Sequence, residues 1–114
     1  MNKFKLEIPA SSKYFSSVRL FISGILTVED LCYDTIEDIK MAVTEGLNIL
    51  ILKGNRETIE LEFILEEKSM TTIIKDFDVE RDEQNEMAFM VLKCLVDEVE
   101  IEENRLLIKK SCNE

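Results

Sequence analysis

From residue 3 to residue 8 apolar side chains fall on every second position, at Phe4, Leu6 and Ile8. That is the period of a strand with one buried face, and Pro9 closes it in the manner of a strand near a sheet edge. The period then changes. Tyr14, Phe15, Val18, Phe21, Ile22, Ile25 and Leu26 recur at three and four residues, which predicts a helix capped by Ser11 or Ser12. A second helical pattern covers residues 36–53, with Ile36, Ile39, Val43, Gly46, Leu47 and Leu50 as its buried stripe and Met41, Glu45 and Asn48 projecting elsewhere. Asp34 with Glu37 is spaced as a capping box for its start, and Gly54 with Asn55 can end it. Gly46 costs about 1 kcal/mol against alanine inside a helix, so it implies close approach of another element. The apolar run 49–52 predicts burial of that helix end on all sides.

Alternation returns at residues 58–65. A turn at Glu66 to Ser69 and a β-branched run at 71–74 then predict an antiparallel pair. Residues 76–86 are strongly acidic and read as a connection that becomes helical near Asp82. Residues 87–96 are apolar around most of a helical circumference, which predicts packing on more than one side. Residues 98–102 and 105–109 alternate about Glu103 and Asn104 as a closing hairpin. The order is β-α-α-β-β-α-β-β. It predicts a single α+β domain over 1–114, a two-layer sandwich with a mostly antiparallel mixed sheet and three helices on one face.

Composition narrows the chemistry. The 114 residues include no histidine, so the commonest general base is missing and any acid–base chemistry falls to carboxylates. Cys32, Cys94 and Cys112 form no CxxC pair, which with the lack of histidine leaves no zinc site; they read as thiols, with Cys94 in the core. No apolar run reaches the roughly 20 residues of a membrane span, and the start lacks a secretory core, so a cytoplasmic protein is expected. The net charge of -10 arises wholly after residue 56, where 7 basic groups face 17 acidic ones. Such a surface disfavours nucleic acid and suits a basic protein partner. Arg19, on the side of the first helix away from its stripe, offers a planar fork of donors that can anchor a partner's carboxylate.

The blocks IPASSKYFSSVRLFISGI, IEDIKMAVTEG and FMVLKCLVDEVEI, in this order and spacing, resemble the corresponding blocks of anti-sigma factor serine kinases. The resemblance implies a histidine-kinase-like ATPase fold, here with a shortened lid. In that family the second helix bears a glutamate that activates the attacking hydroxyl and, four residues later, an asparagine that helps hold Mg²⁺. Glu45 matches the first, but Ile49 stands at the second, and Asn48 lies about 100° round the helix. Asp76 matches the family's adenine-recognising aspartate, yet Phe77 and Asp78 follow it where glycine is expected. None of the three glycines, Gly24, Gly46 and Gly54, lies in the lid region.

The resemblance thus implies a catalytically inactive relative, a pseudokinase with vestigial Glu45 and Asp76, without cofactor or metal. It would act as a homodimer that binds a sigma factor or an anti-sigma antagonist through its first strand and helix, with Arg19 matching an arginine of the VRL block. The alternative is an active ATP-dependent serine kinase with an abbreviated lid, using ATP and Mg²⁺. A purely structural interaction domain is the third reading. Any surviving pocket is expected to be smaller and more apolar than the family's nucleotide site, lined from Glu45, Ile49 and the Asp76 segment.

Overall fold

A computed structural model describes residues 1–29, 31–54 and 56–112; Asn55, expected to help end the second helix, lies outside them. The elements follow the order the periodicities predict: β1 (Asn2–Pro9), α1 (Phe15–Val28), α2 (Tyr33–Lys53), β2 (Thr58–Glu66), β3 (Ser69–Ile74), α3 (Glu86–Leu95), β4 (Glu98–Glu102) and β5 (Arg105–Ser111). A short 3₁₀ turn, Ser12–Tyr14, precedes α1 and is capped by the Ser11 side chain. The strands form one sheet in the order β1-β2-β3-β5-β4. Every neighbouring pair is antiparallel, so the expected mixed character is absent from this sheet.

Alternation decides which face of the sheet is dry. Ile59, Leu61, Phe63 and Leu65 on β2 are buried, as are Leu106 and Ile108 on β5, and they share the core with Val18, Ile22 and Leu26 of α1 and Ile39, Val43, Leu47 and Leu50 of α2. The intervening residues face away from the helices, where Lys75 bridges Glu60 and Glu62 at 3.6 and 3.5 Å. The β4–β5 hairpin turns on Glu103 and Asn104, both with positive φ (52° and 59°), the left-handed pair that a two-residue turn of this twist requires. Helices on one face of an antiparallel sheet, in this order, are compatible with the histidine-kinase-like ATPase fold.

Helix α2 is the central element and packs against α1, α3, β3 and β5. Gly46 is where it meets the sheet: a Cβ there would lie 2.9 Å from Ile74 Cδ1 and 3.0 Å from Leu106 Cδ2. The close approach expected from that glycine is present.

Four local expectations are corrected. The capping box at Asp34 does not form, because α2 begins earlier with Cys32 as its N-cap, and Glu37 pairs with Lys40 at 2.9 Å. Leu52 is 86% exposed, so the apolar end of α2 is not buried all round. Met87 and Met90 are exposed, and α3 buries one face through Phe89 and Leu92. The helix also starts at Glu86 rather than near Asp82, whose carboxylate accepts the backbone N–H groups of Gln84 and Asn85 in the turn that leads into it.

Candidate functional site

The C-terminal half of α2 and the connection between β3 and α3 enclose an open cleft of about 430 Å³. Its lining combines Ile49, Leu52 and Lys53 of α2 with Asp78, Val79, Glu80, Asp82, Gln84 and Asn85 of the connection. Ile49 is buried and reaches it from one helical turn beyond Glu45. Glu45 is half-buried, and neither it nor Asp76 lines the cleft, so of the expected lining Ile49 and the segment after Asp76 are present. The walls include three carboxylates and one lysine.

Asp76 is exposed at a positive φ of 52°, a conformation that aspartate tolerates better than most residues. Its carbonyl accepts a hydrogen bond from Arg56 Nη1 at 3.0 Å. The chain then turns inward, and Phe77 is completely buried with its ring edge-on to Phe89 at 6.4 Å. Its backbone N–H donates to the Asn104 carbonyl at 2.7 Å. Between the exposed Asp76 and Asp78, the buried Phe77 side chain makes an anchor of the position where glycine is expected.

Sequence reading missed the polar clamp on the next residue. Arg56 Nη2 donates to Asp78 Oδ1 at 2.8 Å, Lys53 Nζ lies 3.4 Å from Oδ2, and Lys53 also donates to the Asp78 carbonyl. The hydrogen bond from Arg56 is the main cause of a carboxyl held below its usual range, with the residue's own backbone N–H and the Lys53 charge adding to it. The detectable signal was charge order, two cations ending α2 and its link against an acidic segment 20 to 25 residues on. Because the folded-state value is depressed, this stabilisation is complete above the unfolded carboxylate pKa of about 3.9 and is lost as pH falls through the lower folded value. Thermal melts of Asp78→Asn should therefore lie below those of the parent by a constant margin above about pH 4, a margin that closes on further acidification. A margin independent of pH down to acid denaturation would exclude the clamp as its source.

Arg19 is not a freely projecting side chain. It lies half-buried between the first two helices, Nη1 donating to Thr44 Oγ1 at 3.3 Å and Nη2 to Ser16 Oγ at 3.2 Å. It thus reaches α2 at the residue next to Glu45. Each terminal nitrogen keeps a second N–H for another acceptor. Cys94, expected in the core, is exposed on α3. Among the described residues no helix is long and apolar enough to cross a membrane.

No model of a protein family matches the chain. Among curated proteins it is 32% identical over 91 residues to the serine-protein kinase RsbW of Listeria monocytogenes, covering 73% of this chain and 58% of that protein. It is also 32% identical over 77 residues to the serine-protein kinase RsbW of Staphylococcus aureus, covering 63% of this chain and 48% of that one. The chain spans about half the length of the curated relatives it matches. Over most of its own length it is therefore similar to serine-protein kinases named RsbW, and this similarity supports the family resemblance carried by its sequence blocks.

Proposed function

We propose that the chain is a catalytically inactive, anti-sigma-factor-like regulator that works in the cytoplasm by binding a protein, either a sigma factor or an anti-sigma antagonist. The observation that carries this reading is Ile49, an aliphatic side chain at the cleft one turn after Glu45, where the resemblance calls for a magnesium ligand. Phosphoryl transfer depends on positioning and on neutralising phosphate charge. Ile49 supplies neither, Asp78 is already paired with Lys53 and Arg56, and Glu80 and Asp82 add negative charge to the wall a triphosphate would face. The buried Phe77 supports the same reading, since it occupies the step where the family's chain approaches the nucleotide. On this reading Glu45 and Asp76 are vestigial, and neither ATP nor metal is a cofactor.

Partner contact is assigned to the α1 surface around Arg19, whose remaining N–H donors suit a carboxylate. The edge position of β1 and the exposed Leu20 of α1 support a homodimer through the first strand and helix. The second reading, an active serine kinase with a shortened lid, is favoured by the retained Glu45 and by the kinase names of the relatives.

A nucleotide titration separates these readings, and a capture experiment tests the partner surface. Calorimetric titration with Mg·ATP at millimolar concentration should give no binding heat, whereas saturable binding would support the kinase. The tagged chain, expressed in its native host, should co-purify a transcription regulator, and Arg19→Ala should reduce that capture roughly tenfold. The substitution should cost only about 1 kcal/mol of stability from the two lost hydrogen bonds. Undiminished capture by Arg19→Ala would remove Arg19 from the interface.

A further inference from the structure

Cys32 and Cys112, 80 residues apart in sequence, bring their sulfurs to 3.0 Å. Both are thiols and both are half-buried, within reach of small solutes. Neither position is accidental, because each is fixed by backbone structure. Cys32 is the N-cap of α2, its carbonyl accepting the Ile36 N–H at 3.1 Å, and its sulfur also lies 2.9 Å from Thr35 Oγ1. Cys112 follows β5 directly, and its N–H donates to the Lys68 carbonyl in the β2–β3 turn at 2.8 Å. Between the same two elements, Lys110 pairs with Asp38 at 3.5 Å.

We propose that Cys32 and Cys112 are a site of oxidative modification at which peroxide links the start of α2 to the end of β5 by an intramolecular disulfide. Bond formation needs the sulfurs to close from 3.0 Å to about 2.05 Å. Side-chain rotation and a small shift of the post-strand residue supply that change, while the strand and helix stay in place. In the first step one thiolate attacks the O–O bond of hydrogen peroxide, which breaks to leave a sulfenic acid on that sulfur and hydroxide. In the second, the other thiolate attacks the sulfenic sulfur and expels its hydroxyl as hydroxide. The two thiol protons complete two water molecules, so two thiols and one peroxide become one disulfide and two waters. A thiol reductant reverses the change. Cys94, alone on the exposed side of α3, has no part in it.

The product ties down the first turn of the helix that carries Glu45 and Ile49. It also closes a loop of some 80 residues, which restricts the unfolded chain far more than the folded one.

The test uses the whole 114-residue chain with Cys94→Ser, reduced and then exposed to stoichiometric hydrogen peroxide. The intact monomer should lose the mass of two hydrogen atoms and both sites of thiol alkylation. Peptide mapping should join the Cys32 peptide to the Cys112 peptide, dithiothreitol should restore the thiols, and Tm should rise by roughly 10 °C in the oxidised form. Adding Cys112→Ala, at a position beyond the last strand, should abolish the hydrogen loss while leaving the reduced-state melting curve close to that of the parent. The proposal is overturned if both thiols remain open to alkylation, if each sulfur gains oxygen without linkage, or if the linked species is a dimer.

Discussion

Replacing Phe77 with alanine should lower the unfolding free energy by about 3 to 5 kcal/mol, a large share of the 5 to 15 kcal/mol typical of a domain. The side chain is wholly buried, and its ring meets Phe89 edge-on, so the substitution removes both transfer energy and an aromatic contact. The site has little room to collapse, because the backbone on either side is held: in the peptide unit before it the Asp76 carbonyl accepts from Arg56 and the Phe77 N–H donates to Asn104, and after it the Asp78 carbonyl accepts from Lys53. The loss should also spread. Phe89 is one of two buried residues of α3, and the cleft wall from Asp78 to Asn85 hangs between Phe77 and that helix. Amide exchange in this connection should accelerate along with the loss of stability in urea. A cost under about 1 kcal/mol would show that Phe77 does not anchor the segment.

The architecture was legible because its strands and first two helices have distinct periods. Ile59, Leu61, Phe63 and Leu65 alternate with Glu60, Glu62, Ile64 and Glu66, and only one register places all four against the helices. The stripe from Ile36 to Leu50 is buried at every expected position, with Gly46 against Ile74 and Leu106. Helix α3 was less readable. An apolar segment with Met87 and Met90 on its far side looks buried all round, and nothing in its period says that only one layer will cover it. Cys94 and Leu52 were misplaced for the same reason: hydrophobicity measures a preference for burial, and the number of neighbouring elements decides whether burial is available.

The candidate site was legible only in part. Ile49 could be placed on a common face with Glu45 by helical spacing alone, and it does line the cleft. The clamp of Lys53 and Arg56 on Asp78 was hidden, because it joins residues more than 20 apart through the turn that Phe77 makes possible. Arg19 was read as solvent-facing from its place opposite the apolar stripe. The neighbouring helix α2 covers that side and provides Thr44 as an acceptor. In each case the missing information was tertiary: which element lies beside a polar side chain, and whether it offers a partner.

Ile49→Asn restores at one position the residue type that the family resemblance places there, and it should destabilise the fold by about 2 to 4 kcal/mol without creating nucleotide binding. Ile49 is 4% exposed, so its replacement forfeits most of a buried aliphatic side chain and asks an amide to find hydrogen bonds at the edge of the core. The cleft side of the residue gives that amide some access to water, which keeps the cost below that of a fully enclosed polar group. A neutral amide adds no positive charge, so Glu80 and Asp82 still face the cleft uncompensated by it, and Phe77 stays buried where the family resemblance expects glycine. Titration with Mg·ATP at a temperature well below the variant's Tm should therefore remain flat. Binding at micromolar affinity would mean that the acidic wall and Phe77 are compatible with a nucleotide. The proposed loss of catalysis would then rest on a single side chain, one reversible by substitution, and not on the rebuilt connection between β3 and α3.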